Sequence, residues 1–204
     1  MSIVNITMGK ERALIGCDTA CGYDTVDGKR YGQMSKLLVL QGMGVVMAFR
    51  GQRHMFHQIV NGSLFGSEPD CFDSLVDQLP RIIGKAKPHY VAFVFESTLE
   101  FYVVGWSHRR GKITGASYVI DHLGNLTESN VDTWRYSVAP EVPEDPLPVL
   151  DTHEKMFAHA HRQTAMCKAT DADAVIGGRY FIADVTREQI LVTYVGDLTS
   201  VPAQ

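Results

Sequence analysis

The chain has 204 residues, 45% of them hydrophobic and 21% charged, with a net charge of −4. That length suits one compact domain spanning 1–204, and without a Lys/Arg run there is no electrostatic footprint for nucleic acid. The apolar stretches fall far short of a bilayer span, and "MSIVNITMGK" lacks the regions of a signal peptide, so the expectation is a soluble cytoplasmic protein without membrane contact.

An alternating run, "SIVNITM", begins at the second residue and predicts a strand. Gly9-Lys10-Glu11 reads as a hairpin turn into a second strand, "RALIGCDT". From Cys17 to Ser35 the chain is rich in Gly, Asp and Thr, which predicts loop or irregular edge. "KLLVL" and "GVVMAF", separated by Gln41-Gly42-Met43, form a second predicted hairpin, apolar enough to be buried on both faces. Met55, Phe56, Ile59 and Val60 have helical spacing. A second helix is signalled by Ser67-Glu68-Pro69-Asp70 and continues through Phe72, Leu75, Val76 and Leu79, with Pro80 expected to kink or end it. Strands return in "HYVAFVF", "LEFYVVGWS", "KITGASYVID" and a short "NLTES", with Gly111 and Gly124 at turns. The proline-rich segment 137–151 reads as an irregular loop within the domain. Asp151 or Thr152 caps a third helix through "KMFAHAHRQTAMCK". Two last strands, "GGRYFIADVT" and "ILVTYVG", meet at a turn at Arg187-Glu188.

Helices thus come in blocks between hairpin-rich blocks. That order predicts an α+β fold: two mostly antiparallel sheets face to face with helices outside each, a four-layer αββα sandwich. Four cysteines without a CxxC pair are expected reduced. Among eight histidines, His54 and His57 share a helical face but lack Cys or carboxylate companions at ligand spacing, so neither a metal nor a cofactor is expected.

The early strand raises a chemical reading. A serine hydroxyl needs a base, and an α-amine has a pKa of about 7.7 to 8.0. With Met1 removed, Ser2 would carry its own base, as an N-terminal nucleophile does. Such a site needs a rigid terminus, a nearby cation, and a carboxylate to hold the cation. The strand from Ile3 supplies the first, and Lys36 and Asp18, at strand ends, offer the other two.

With these residues named, the chain resembles the proteasome β-subunit-like N-terminal nucleophile (Ntn) hydrolase superfamily over nearly its whole length. "LIGCDT" is similar to the "A-A-D-T/S" that ends the family's first hairpin, and "SKLLVL" to its "K-I-x-x-I" strand start. "DADAVIGGRYFIADV" is similar to its "D-x-x-S-G-G" junction. The resemblance implies Ser2 as nucleophile, Lys36 as the lysine that tunes it, Asp18 as the acid that orients Lys36, and Asp173 as support for the amine. It implies an oxyanion donor at the backbone N–H of Phe49, or of Gly51 if the alignment slips. Departures are Phe49 where the family has Gly, Ile176 where it has Ser, and "WRYSVAPEVPED" with Ser137 where it has a Gly-Ser-Gly loop. The implied function is a proteasome-like N-terminal serine hydrolase cleaving peptide or other amide bonds. The implied assembly is a homo-oligomeric ring, with peptide or protein substrates and an unfoldase as partner. The alternative is a non-catalytic structural or ring subunit of the same fold.

Overall fold

The computed structural model describes residues 2–25, 28–65, 69–91, 98–131, 136–143 and 149–199. In chain order the elements are β1 (Val4–Met8), β2 (Arg12–Asp18), β3 (Ala20–Thr25), β4 (Gly28–Gln33), β5 (Leu37–Leu40), β6 (Val45–Gly51), α1 (Arg53–Phe65) and α2 (Phe72–Val91). They continue with β7 (Leu99–Ser107), β8 (Lys112–Ile120), β9 (Leu126–Val131), β10 (Tyr136–Ala139), α3 (His153–Thr170), β11 (Gly178–Thr186) and β12 (Ile190–Thr199). One sheet has the order β10-β1-β2-β11-β12, a second β5-β6-β7-β8-β9, and β3-β4 form a two-stranded ribbon. Among the described residues every pairing is antiparallel.

Side-chain alternation along the strands builds the layers. On β6, Val45, Met47 and Phe49 pack with Met55, Ile59, Leu75 and Leu79 of the helices. Val46 and Ala48, on its other face, pack with Val4, Ile6 and Ile15 of the first sheet. Leu14, Tyr180 and Ile182 bury that sheet's far face against Met156, Ala160 and Cys167 of α3. The result is α1 and α2, the second sheet, the first sheet, then α3. This is the α+β sandwich of antiparallel sheets expected from the order of elements.

Four local expectations are corrected. The segment expected as loop or irregular edge from Cys17 to Ser35 contains a regular β3–β4 ribbon, paired from Ala20↔Gln33 to Thr25↔Gly28. Such a ladder needs only backbone groups in register, so Gly- and Asp-rich composition conceals it. Pro80 does not end α2, which also contains Pro88. The helix gives up backbone bonds there but buries Phe72, Leu75, Leu79, Ile82, Ile83 and Ala86. Its span takes His89 to Val91 away from the expected "HYVAFVF" strand, whose remainder lies outside the described residues. Finally, β10 emerges from the segment expected to be irregular, because its backbone completes the edge of β1 from Val4↔Ala139 to Thr7↔Tyr136. The third helix is capped by Thr152, whose hydroxyl accepts from the Lys155 N–H at 3.2 Å.

Candidate active site

β1 starts at the same edge of the sandwich where β2 ends, because the hairpin register pairs Val4 with Cys17. Asp18 therefore arrives beside the chain's beginning. Lys36, immediately before β5, reaches it from the second sheet. Its Nζ lies 2.7 Å from Asp18 Oδ1, with the side chains 3% and 0% exposed. The same oxygen accepts the Ile3 N–H at 2.8 Å, and Asp18 Oδ2 accepts the Gly177 N–H at 3.0 Å. Burying two ions costs several kcal/mol each, which their attraction offsets only when further hydrogen bonds complete the shell. Here two backbone N–H groups do so for the carboxylate.

Gly177 is delivered by the loop entering β11. Its carbonyl accepts the N–H groups of Thr19 and Ala20 at 3.3 and 3.0 Å. The Thr19 hydroxyl accepts the Arg179 N–H at 2.9 Å and donates to Gln33 Oε1 at 3.2 Å. This close docking requires the glycine pair. Gly177 and Gly178 have φ of 108° and 76°, and a Cβ on Gly178 would lie 2.9 Å from Thr19 Oγ1.

Ser2 is half-buried and covalently adjacent to the Ile3 N–H that Asp18 holds. Ser2, Asp18 and Lys36 are thus brought to one place. Behind Asp18, burial pushes the Cys17 thiol well above its ordinary pKa, the Asp18 charge adding to the effect and Lys36 opposing it. Cys17 is therefore held as a thiol.

Two expected participants stand differently. The Phe49 N–H donates to the Lys36 carbonyl at 3.1 Å, so it is engaged in the β5–β6 ladder and not open to an oxyanion. The Phe49 ring stacks on Phe56 with centroids 4.0 Å apart. Backbone N–H groups alternate sides along a strand. The next N–H on the β5 side is that of Gly51, past the point where β5 begins at Leu37. Asp173 is exposed, and among the described residues no hydrogen bond or ion pair reaches its carboxylate; its N–H donates to Asp171 Oδ1 at 3.0 Å. Ile176 is buried in the apolar cluster that contains Ile3. Ser137 pairs through its backbone with Ile6, and its side chain lies outside the described residues.

Sequence reasoning missed the N–H groups of Ile3 and Gly177 as ligands of Asp18, since backbone donors leave no residue-type signature. The Gly177-Gly178 pair is the one signal that a close backbone approach was needed there. Among the described residues no group of three or more His, Cys, Asp or Glu is arranged to hold a metal ion, and no helix is long and apolar enough to cross a membrane.

No protein-family model and no curated protein matches the chain. Solved structures do. Anbu from Hyphomicrobium sp. strain MC1 matches with a TM-score of 0.61 at 14% identity, covering 98% of this chain and 88% of that one. Anbu (ancestral beta-subunit) from Yersinia bercovieri matches with a TM-score of 0.61 at 13% identity, covering 94% of this chain and 86% of that one. These findings correct the placement made from motifs. The solved structures named here are Anbu proteins and no family model supports the proteasome β-subunit-like Ntn hydrolase superfamily, so motif resemblance does not establish membership in it. The chain shares its fold with the Anbu (ancestral beta-subunit) proteins, and at these identities fold is what the likeness shows.

Proposed function

We propose that the chain, once Met1 is removed, is an N-terminal serine hydrolase acting on peptide or other amide bonds, working in the cytoplasm as a homo-oligomer. One observation carries the reading: a buried Lys36–Asp18 ion pair shares a carboxylate oxygen with the backbone N–H next to Ser2. A fold has cheaper ways to tie two sheets together than burying an ammonium.

The mechanism follows from those positions. The freed Ser2 amine, with an intrinsic pKa of about 7.7 to 8.0, takes the proton from Ser2 Oγ directly or through a water. Oγ then attacks the substrate carbonyl carbon, and the carbonyl π electrons move onto oxygen. The Lys36 ammonium stabilises the developing alkoxide and disfavours a second positive charge on the amine. Asp18 holds Lys36 in place through the 2.7 Å contact with its Nζ. The Gly51 N–H replaces that of Phe49 as oxyanion donor, being the next donor beyond the β5–β6 ladder. Collapse of the tetrahedral species breaks the C–N bond as the α-ammonium returns its proton to the leaving amine. Water then hydrolyses the Ser2 ester by the same route. Asp173 has no part in this scheme, because its carboxylate lies exposed.

Intact mass and electrophile labelling test the reading. The purified protein should lack Met1 and be labelled by an amide-mimicking electrophile. Ser2→Ala should abolish labelling and Lys36→Ala nearly so. Labelling retained in both variants overturns the mechanism. A second reading, a non-catalytic subunit of the same fold, is favoured by the exposed Asp173 and the apolar Ile176. Retention of Met1 would decide for it, since Ser2 nitrogen would then be an amide.

A further inference from the structure

Asn5 on β1 and Gln163 on α3 carry side-chain amides with no exposed surface. Each donates to the other: Asn5 Nδ2 to Gln163 Oε1 at 2.7 Å, and Gln163 Nε2 to Asn5 Oδ1 at 3.0 Å. Their remaining donors are engaged too. Asn5 Nδ2 also reaches the Tyr180 hydroxyl at 3.1 Å, and Gln163 Nε2 the Pro140 carbonyl at 2.7 Å. A buried polar network satisfied in this way rigidifies what it joins. This one fastens the backbone just past β10 to β1.

That backbone lies where the Ser2 nitrogen points. Ile3 turns both its backbone groups toward β2: its N–H donates to Asp18 Oδ1 at 2.8 Å, and its carbonyl accepts the Asp18 N–H at 3.4 Å. Backbone groups of successive residues along a strand point to opposite sides. The Ser2 nitrogen is therefore turned away from β2, to the side of β1 that pairs with β10. The β1–β10 register ends at Val4↔Ala139. Carried on along both chains, it sets Pro140 across from Ile3 and Glu141 across from Ser2. At such a step of an antiparallel ladder the carbonyl of one chain meets the nitrogen of the other. The groups expected to hold the amine do not compete for it, since the Asp173 carboxylate is exposed and Ile176 lies in the apolar core.

We propose that Gln163 is a positioning residue for the freed Ser2 amine, acting through Pro140 to hold the Glu141 carbonyl as acceptor of the amine's N–H. The inference rests on the hydrolase reading and adds to it what orients the base. With one N–H given to that carbonyl, the amine's lone pair is left to face Ser2 Oγ. The charged and titratable groups about the amine are Asp18 at the end of β2, Lys36 before β5, Arg50 at the end of β6, the Glu141 side chain, and Cys167 on α3, whose thiol feels Asp18 and Arg50. A change at Gln163 alters none of their charges.

The test is the pH profile of Ser2 labelling by phenylmethanesulfonyl fluoride, in which Ser2 Oγ displaces fluoride from sulfur and its proton passes to the amine. In the full-length wild type without Met1, the rate should rise with pH through the amine's pKa to a plateau. An acceptor favours the ammonium and raises that pKa, so Gln163→Met should move the midpoint down by about 0.5 pH unit. Lost orientation should lower the plateau about tenfold. Tyr180→Phe removes a hydrogen bond of the same network without touching Pro140, and should leave the midpoint where it was. Circular dichroism checks each fold. If Gln163→Met does not fold, Asn5→Leu/Gln163→Met, which removes both members of the buried pair, must show the same shift. An unchanged midpoint in a folded Gln163 variant, an equal shift in Tyr180→Phe, or failure of both Gln163 variants to fold overturns the inference. A wild type that lacks Met1 and is not labelled overturns the hydrolase reading instead.

Discussion

Lys36 Nζ and Asp18 Oδ1 lie 2.7 Å apart inside the protein, one side chain contributed by each sheet. The contact joins the two sheets electrostatically at the edge where the chain begins.

Removing one partner strands the other's charge. Asp18→Asn should destabilise the fold by about 3–5 kcal/mol, the usual cost of breaking a buried pair from one side. Adding Lys36→Met should restore most of that, because the unpaired ammonium is gone. Urea denaturation reads both. A restored fold without electrophile labelling would mean that the pair serves chemistry more than stability.

Gly51 sits at φ 89°, and a Cβ there would lie 2.0 Å from the Thr98 carbonyl oxygen. That oxygen also accepts the Gln52 N–H at 3.1 Å, so it cannot retreat without loss. Gly51→Ala should cost more than about 2 kcal/mol through clash and backbone strain. An unchanged melting temperature would refute this geometry.

Asp73 opens α2 and ties it to the β7–β8 turn. Its carboxylate accepts the Ser107 hydroxyl at 2.6 Å and the Arg109 N–H at 3.1 Å. Burial alone would raise its pKa, but the hydrogen bonds from Ser107, Arg109 and His108 outweigh it and the net shift is downward. A depressed folded-state value contributes stability above the unfolded pKa of about 3.9, and that contribution fades as pH falls through the folded value. Wild type should therefore exceed Asp73→Asn by about 1 kcal/mol at neutral pH. The gap should close as pH is lowered from about 5 toward 2. Denaturation midpoints of the two proteins across that range check it.

All four cysteines are free, with Cys17 and Cys167 buried and Cys21 and Cys71 half-buried. Burial raises the pKa of both buried thiols. Brief alkylation of the native protein at about pH 8 should modify only Cys21 and Cys71, and all four after unfolding. Native modification of Cys17 would mean that the core behind Asp18 is open.

The sequence made the sandwich legible where period and layer coincide. On β1, Val4 and Ile6 line the inter-sheet core, while Ile3, just before the strand, packs toward α3, an alternation visible in the letters. Asp18 and Lys36 were legible as charges at strand ends. What held them was not, because the Ile3 and Gly177 N–H groups carry no residue-type label. The β3–β4 ribbon and β10 were hidden for a related reason: backbone pairing makes them, in segments whose composition favours turns. Pro80 does not end α2, because that local tendency yields to the apolar face that α2 lays on its sheet. Asp173 aligned with a motif acid, yet the loop between α3 and β11 leaves it in solvent. A short motif fixes the order of residues but not the direction of a side chain.

Asp18 grips the chain at the Ile3 N–H, one peptide bond beyond the serine. A clamp placed there is indifferent to what precedes Ser2. The fold can form the Asp18–Ile3 contact and bury Ile3 while residue 1 is still attached, and clipping that residue changes one nitrogen from amide to amine without removing that contact. On the proposed hydrolase reading, folding and arming are separate events, and the unarmed protein is a fully built latch awaiting a single cut.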